Sequence, residues 1–262
     1  MYFFLQLYAI NKPVLKQERH HLILNNLKTK RKVLSIDLSK ELHVSEDTIR
    51  RDLKELNAKN LLYKVHGGAL SIESKVLTYD ERSTTDINKK IAIAKKAVKL
   101  IRNGQVIIMS GSTTNLELAK IIPIETNITV FTYSLPIAMQ LSQHPLIEII
   151  FIGGKLNKSA QVTVGIDVVN TISNIRADIC FMGIGGIHIK RGMTEPNWEV
   201  AHIKKSMINA SDHIVAMCIS TKIMLVEKYS VVPITEIDTI ISDYESNNII
   251  FNEFKDKGLT II

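Results

Sequence analysis

The sequence predicts an α/β protein of two parts: a small N-terminal winged helix-turn-helix and a larger Rossmann-like domain on a parallel sheet. Three observations carry this. Two short helical patterns stand only two residues apart and are followed by a His-Gly-Gly turn between apolar runs. Beyond about residue 88, apolar runs alternate regularly with helical stretches. The charge is also divided unevenly: residues 1–75 hold 14 Lys and Arg against 8 Asp and Glu, whereas all 262 residues hold 33 against 26.

The N-terminal elements follow from periodicity and capping. A first helix over about 16–28 offers Ile23, Leu24 and Leu27 to a small core. Ser35 can cap a second helix over 36–42, with Leu38 and Leu42 on one face. After His43 and Val44, Ser45 caps a third helix, and Glu46 and Asp47 favour the positive end of its dipole. Ile49, Leu53 and Leu56 then recur at i, i+4 and i+7, one buried stripe at helical period. Arg51 falls nearly opposite that stripe, flanked by Asp47 and Lys54, with Thr48 and Arg50 at its margins. Apolar runs at 61–65 and 69–72 flank His66-Gly67-Gly68 as a β-hairpin, the wing, which carries Lys64 and His66.

A small domain holding nearly all the excess positive charge suits the phosphate backbone of DNA, and Lys28, Lys30, Arg31 and Lys32 add a basic run. The competing reading is an ordinary solvated or partner-binding helix, and the concentration of charge favours DNA. The expected contacts are Ser45, Asp47, Thr48, Arg50, Arg51, Lys54, Lys64 and His66. The expected boundaries are 14–72 for the DNA-binding domain, 73–88 for a polar linker and 89–262 for the second domain.

Bulk properties exclude other classes. Hydrophobic residues make up 45% of the chain, enough for a buried core, and no segment reaches transmembrane length. The apolar opening MYFFLQLYAI lacks a basic n-region and a small-residue cleavage site, so no signal peptide is expected. Cys180 and Cys218, far apart in apolar runs, read as reduced core residues of a cytoplasmic protein. The 8 histidines show no metal-ligand spacing with cysteines or carboxylates. Neither a metal nor a cofactor is expected.

In the second domain, strands are expected at 105–109, 128–132, 147–152, 179–182, 214–219, 239–242 and 259–262. Helices are expected at 89–102, 115–122, 135–142, 167–175, 198–210 and 248–257. Strands that are apolar rather than alternating, in regular alternation with helices, argue for a buried parallel sheet, whose ligands sit beyond the strand carboxyl ends. Four loops lie there. Ser110-Gly111-Ser112-Thr113-Thr114 joins a strand to a helix and offers amides, hydroxyls and a helix N-terminus to an anion such as phosphate. An ordinary capped turn is the competing reading. Gly153-Gly154-Lys155 permits close backbone approach beside a charge, though a plain turn fits equally. Gly183-Ile184-Gly185-Gly186 leads into no helix and is a weak dinucleotide fingerprint. The run MTEPNWE, from Met193 to Glu199, opens a helix that also carries Lys204 and Lys205.

The runs SEDTIRRDL and LLYKVHGGA resemble the signature of the DeoR family of bacterial repressors, and the resemblance extends from about Val14 onward. It implies a C-terminal sensor domain related in fold to ribose-5-phosphate isomerase that binds a phosphorylated sugar or similar metabolite. Carried over by resemblance, Gly111, Ser112, Thr113 and Thr114 are phosphate contacts, joined by Gly153, Gly154, Asn197, Glu199, Lys204 and Lys222. With Ser110 and Lys155 these form the expected effector site, and Tyr133-Ser134-Leu135 matches a loop beside it. The family places a glycine where His43 stands, which implies a strained but tolerated turn. It also places carboxylates where this chain has Met109, Ile219 and Val200. Neither Met nor Ile accepts a hydrogen bond from a sugar hydroxyl, so poor discrimination among hydroxyls is expected.

Three functions compete at this stage. The first is a repressor of a carbohydrate-metabolism operon, switched by a phosphorylated effector and bound to its DNA operator as a homo-oligomer, dimer or tetramer. The second is a constitutive DNA-binding regulator whose C-terminal domain only oligomerises. The third, an isomerase-like enzyme, is disfavoured because Met109 and Ile219 leave Glu199 as its main candidate base, and no catalytic residue is expected.

Overall fold

The computed structural model describes residues 15–30, 32–71 and 78–262, and the chain divides into two compact units, Met1–Val76 and Leu77–Ile262. Arg31, the side chains of Lys28 and Lys30, and the expected linker residues 73–77 lie outside the described residues.

In the first unit, helix α1 (Lys16–Lys30) leads through strand β1 (Lys32–Leu34) to helices α2 (Ser35–Glu41) and α3 (Glu46–Ala58). The hairpin β2 (Leu62–Val65) and β3 (Gly68–Ser71) follows. Ile23, Leu27, Leu38, Leu42, Ile49, Leu53 and Leu56 close one core, as their helical spacing requires, and Leu62 of β2 joins it. His43 adopts φ 52°, the left-handed backbone expected where the resemblance places glycine. Histidine is among the residues that enter this region more readily than bulky or branched ones.

Ser35 does not cap α2. It is the first residue of that helix and is buried, while Leu34 holds the cap position without a side-chain bond. The cause is β1, which sequence reasoning missed because three residues are too few to show alternation. It pairs antiparallel with β3, giving the sheet order β1-β3-β2 and holding 32–34 extended. Gly68 permits this closure, since a Cβ there would stand 2.0 Å from the Val33 carbonyl oxygen. Gly68→Ala is expected to push β1 off the sheet and destabilise this unit by about 1–3 kcal/mol. Hydrogen exchange over 62–71 checks this, and unchanged protection there would show that the strand accommodates the methyl group.

The second unit begins earlier than expected. Residues 78–88 are not a linker: helices α4 (Tyr79–Thr84) and α5 (Ile87–Ala97) occupy them. Thr78 and Glu81 form a reciprocal capping box at the start of α4, and Tyr79 is buried. Then come β4 (Val106–Met109), α6 (Thr113–Lys120), β5 (Ile128–Thr132), α7 (Leu135–Leu141), β6 (Ile147–Phe151) and the hairpin β7 (Lys155–Asn157) and β8 (Val162–Val164). Next are α8 (Ile166–Ser173), β9 (Ile179–Gly183), β10 (Gly186–His188), β11 (Gly192–Glu195) and α9 (Trp198–Asn209). The chain closes with β12 (Ile214–Cys218), β13 (Tyr229–Val232), β14 (Thr239–Ser242), α10 (Asn252–Asp256) and β15 (Thr260–Ile261).

Seven of these strands form one parallel sheet in the order β15-β14-β12-β9-β4-β5-β6. Successive residues alternate between two cores. Ile107, Met109, Phe181, Val215 and Met217 face the layer of α5, α6 and α7, which contributes Ile93, Leu118 and Ile137. Ile108, Cys180, Met182, Ala216 and Cys218 face the layer of α8, α9 and α10, which contributes Val168, Met207 and Phe254. Both cysteines are free and buried. Two small antiparallel pieces, β7-β8 and β10-β11-β13, flank the carboxyl ends of the main strands. Their three- and four-residue strands left no periodicity to read.

Candidate nucleic-acid interface and anion site

Helix α3 divides its residues cleanly. Ile49, Asp52, Leu53 and Leu56 are buried, while Arg50, Arg51 and Lys54 are exposed. The Ser45 hydroxyl accepts the Thr48 N–H at 3.2 Å and shares a hydrogen bond with the Thr48 hydroxyl at 2.9 Å. Arg50 donates to Glu46 and Asp47, each at 3.4 Å, so Asp47 acts as its counter-ion. Arg51 and Lys54 make no ion pair among the described residues. Lys64 lies exposed on β2, with its backbone N–H anchored to Asn57 Oδ1 at 2.7 Å, and His66 is exposed at the turn.

The element that sets this face is one the sequence did not single out. Asp52, 2% exposed, accepts from Arg19 Nε at 2.8 Å and Nη2 at 3.2 Å, and meets His20 Nε2 at 3.1 Å. The hydrogen bond from Arg19 to Asp52 pushes the guanidinium pKa up against its burial. This ion pair ties α1 to α3 and, with the buried Ile49, Leu53 and Leu56, holds the rotation of α3, so that the neighbouring Arg51 is exposed. It also neutralises one of the positive charges counted toward the DNA face. A charged residue flanked by core positions Ile49 and Leu53 was the available signal.

In the second unit, the first turn of α6 stands at the carboxyl end of β4. Ser112 caps it, accepting the Asn115 N–H at 2.9 Å. Thr113 and Thr114 are buried, and their amides begin the helix where no intrahelical acceptor exists. Ser110, expected to offer its hydroxyl to a ligand, instead accepts the Gly183 N–H at 2.7 Å and Asn115 Nδ2 at 3.2 Å. It is an internal strut that joins the loops after β4 and β9. Gly183 lets these loops touch, since a Cβ there would stand 2.1 Å from Ser112 Cβ, and Gly111 lets the β4 loop meet β8, where a Cβ would stand 2.2 Å from Val162 Cγ1.

Lys204 and Lys222 also lie in this region. Lys204 is buried in an ion pair with buried Glu195. Lys222 donates to the Ile184 carbonyl at 2.5 Å, and the Asp243 carboxylate accepts the Ser220 N–H at 2.5 Å to hold the turn that carries it. Burial, then the charges of Arg82 and Lys204, push the Lys222 pKa down to about 8.

Other expected residues stand apart from this cluster. Lys155 is exposed and Glu199 half-buried, and they form a surface pair at 3.9 Å, a contact of little energetic weight. Asn197 caps α9, accepting the Val200 N–H at 3.0 Å. Gly153 faces open space, and Gly154 packs against Val168 and Val164.

Two residues that sequence reasoning left out, Arg82 and Glu195, belong with the cluster, together with Tyr133 of the loop expected beside it. Arg82 of α4 acts electrostatically on both Lys222 and Tyr133. Glu195 is the partner of Lys204, and Tyr133 is wholly buried at the exit of β5. Arg82 was hidden by the linker assignment, although the T-Y-D-E capping box from Thr78 to Glu81 was legible. Among the described residues, no group of three or more His, Cys, Asp or Glu is placed to hold a metal ion.

Residues 19–75 match the DeoR-like helix-turn-helix domain, and residues 85–244 match the DeoR C-terminal sensor domain. The chain belongs to the DeoR family. It is 35% identical to the HTH-type transcriptional regulator GolR of Listeria innocua, over 93% of this chain and 97% of that protein. It is 29% identical to the glycerol-3-phosphate regulon repressor of Escherichia coli K12, over 86% of this chain and 90% of that one. A ribose 5-phosphate isomerase A structure from Methanocaldococcus jannaschii aligns with 53% of this chain and 55% of its own, at 16% identity and a TM-score of 0.40. As a DeoR-family member, the chain is a DNA-binding transcriptional regulator. No helix among the described residues is long and apolar enough to cross a membrane.

Proposed function

We propose that this regulator represses a carbohydrate-metabolism operon from the cytoplasm, and that a phosphorylated metabolite bound by the second unit controls its grip on the operator. The observation that carries the effector assignment is the first turn of α6. It presents the helix-starting amides of Thr113 and Thr114, with Arg82 and Lys222 supplying positive charge in the same region and Lys204 neutralised by Glu195. Met109 and Ile219 are buried apolar residues packed into one core, which supports switching by binding rather than by turnover. One winged helix covers few base pairs, so a dimer or tetramer bound to repeated half-sites accounts for specificity. Sedimentation of the free and DNA-bound protein tests the assembly, and a monomer in both states would remove it.

Mobility shift with the adjacent promoter, with and without sugar phosphates, tests the switch. Thr113→Val and Lys222→Met are expected to bind DNA normally and to lose the response. A full response in both variants would overturn the effector site.

Lys222 also sets a pH dependence. Its pKa is depressed in the folded chain, from 10.5 to about 8, so burying its ammonium opposes folding at neutral pH, and that opposition fades as pH rises from about 8 toward 10.5. Phosphate binding needs the charged form. Affinity for a phosphorylated effector is therefore expected to fall above pH 8, approaching about tenfold per pH unit, with Lys222→Met flat over the same range. Calorimetry from pH 7 to 9.5 checks this, and parallel profiles would show that Lys222 is not the countercharge.

A further inference from the structure

We propose that strand β6, at the open edge of the parallel sheet, is an interface where two copies of this chain pair β6 to β6, antiparallel about a two-fold axis. The proposal rests on the homo-oligomer reading above and supplies its surface and register.

The first observation is the state of this edge. β6 closes one side of the sheet and pairs with β5 along all five of its residues without a bulge. Ile152, just beyond it, donates its N–H to the Thr132 carbonyl at 2.9 Å, so Glu148 and Ile150 also turn their main-chain groups toward β5. Those of Ile147, Ile149 and Phe151 therefore point away from the sheet. Proteins ordinarily blunt such an edge with lysine, proline, a bulge or a very short strand. The opposite edge follows that rule, since β15 has only two residues. β6 reads Ile-Glu-Ile-Ile-Phe, with one charge and none of these devices.

The second observation is apolar surface along the same edge. Phe151 is 40% exposed, and Leu146, immediately before the strand, is 48% exposed. The Pro123 carbonyl meets His144 Nε2 at 2.8 Å and brings Ile124, 63% exposed, to the same end of the strand. Ile150 is half-buried and stands outside both cores of the described residues. An apolar rim around a row of outward-facing amides calls for another strand rather than for solvent.

The occupant is a second copy because β6 complements itself. Only outward-facing residues exchange hydrogen bonds across a new antiparallel pair, so full overlap puts the two-fold axis at Ile149. Ile149 then faces the partner's Ile149, Ile147 faces the partner's Phe151, and Glu148 faces the partner's Ile150. The two Glu148 carboxylates stay on a diagonal, out of direct opposition. Each also accepts from the Thr129 hydroxyl of its own copy at 3.1 Å. The two sheets become one, and neither keeps this edge.

Sedimentation equilibrium of the full chain, with charge variants at position 150, tests surface and register together. Ile150→Glu sets a carboxylate directly opposite the partner's Glu148, twice per dimer, and should weaken association about tenfold or more. Ile150→Lys places an ammonium there instead and should associate within about threefold of the unaltered chain. Loss of apolar surface alone would weaken both variants alike, so the contrast reports the register. Amide exchange at Ile149 should also slow as concentration rises through association. An Ile149 amide equally protected in dilute monomer would show that another segment of the chain covers the edge, and would overturn the proposal. Unchanged association in Ile150→Glu, or equal losses in Ile150→Glu and Ile150→Lys, would overturn the β6 pairing and leave the oligomer reading standing. A chain that stays monomeric at every concentration, free and on DNA, would overturn both.

Discussion

Arg51→Ala is expected to weaken operator binding by about 1–3 kcal/mol, roughly 5- to 150-fold, with the loss confined to the specific site. The magnitude follows from its position. Arg51 is exposed on α3, opposite the buried Ile49, Leu53 and Leu56, and makes no ion pair among the described residues. Its guanidinium is therefore free to form a bidentate contact with a base edge. Arg50 differs, because Glu46 and Asp47 hold it at 3.4 Å and it stands at the margin of the stripe. Arg50→Ala should lower affinity for all sequences alike and reduce the salt dependence by about one phosphate contact. Fluorescence anisotropy on operator and scrambled duplexes, over a range of salt, separates the two effects. Unchanged operator affinity in the double variant would remove α3 from the groove.

The second large effect is expected at Asp52. Replacing it by alanine leaves the Arg19 guanidinium, 13% exposed, without its two hydrogen bonds to this carboxylate. Breaking a buried ion pair on one side typically costs about 3–5 kcal/mol, because the remaining charge stays desolvated. Denaturant unfolding followed in the first unit should show this loss. DNA binding should fail with it, since α1 no longer holds the rotation of α3. The paired variant Arg19→Met/Asp52→Leu should recover most of the stability, because it removes both desolvation penalties. A loss below about 1 kcal/mol in Asp52→Ala would mean that apolar packing alone holds the unit together.

Much of the architecture was legible from local signals. The stripe at Ile49, Leu53 and Leu56 and the Ser45 cap set α3, and fully apolar runs such as 214–218 marked buried parallel strands. What was missed was short or long-range. Strand β1 has three residues and exists because β3 offers it a partner. Helix α4 looked like polar linker because its first turn carries Asp80 and Glu81, yet those residues belong to a capping box and Tyr79 behind them is buried. Within the expected site, Ser110 proved to be an internal strut, Asn197 a helix cap, and Lys155 and Glu199 a surface pair. Arg82 and Glu195 entered in their place, beside the Tyr133 loop that the resemblance had named.

The sequence by itself determined the two-part build, the basic helix α3 and the loop that starts α6. Each of these is written in contiguous residues whose spacing, caps and glycines act over one or two turns. Only the tertiary structure decided which charges are free and which are consumed. Arg19 and Arg51 have the same side chain, but one is paired to Asp52 and the other stands in solvent. Lys155 and Lys204 were both expected in the effector site, but one is exposed and the other is locked to Glu195. The physical reason is that an ion pair or a buried hydroxyl depends on atoms brought together across the fold, and spacing along the chain does not specify which side chains will meet.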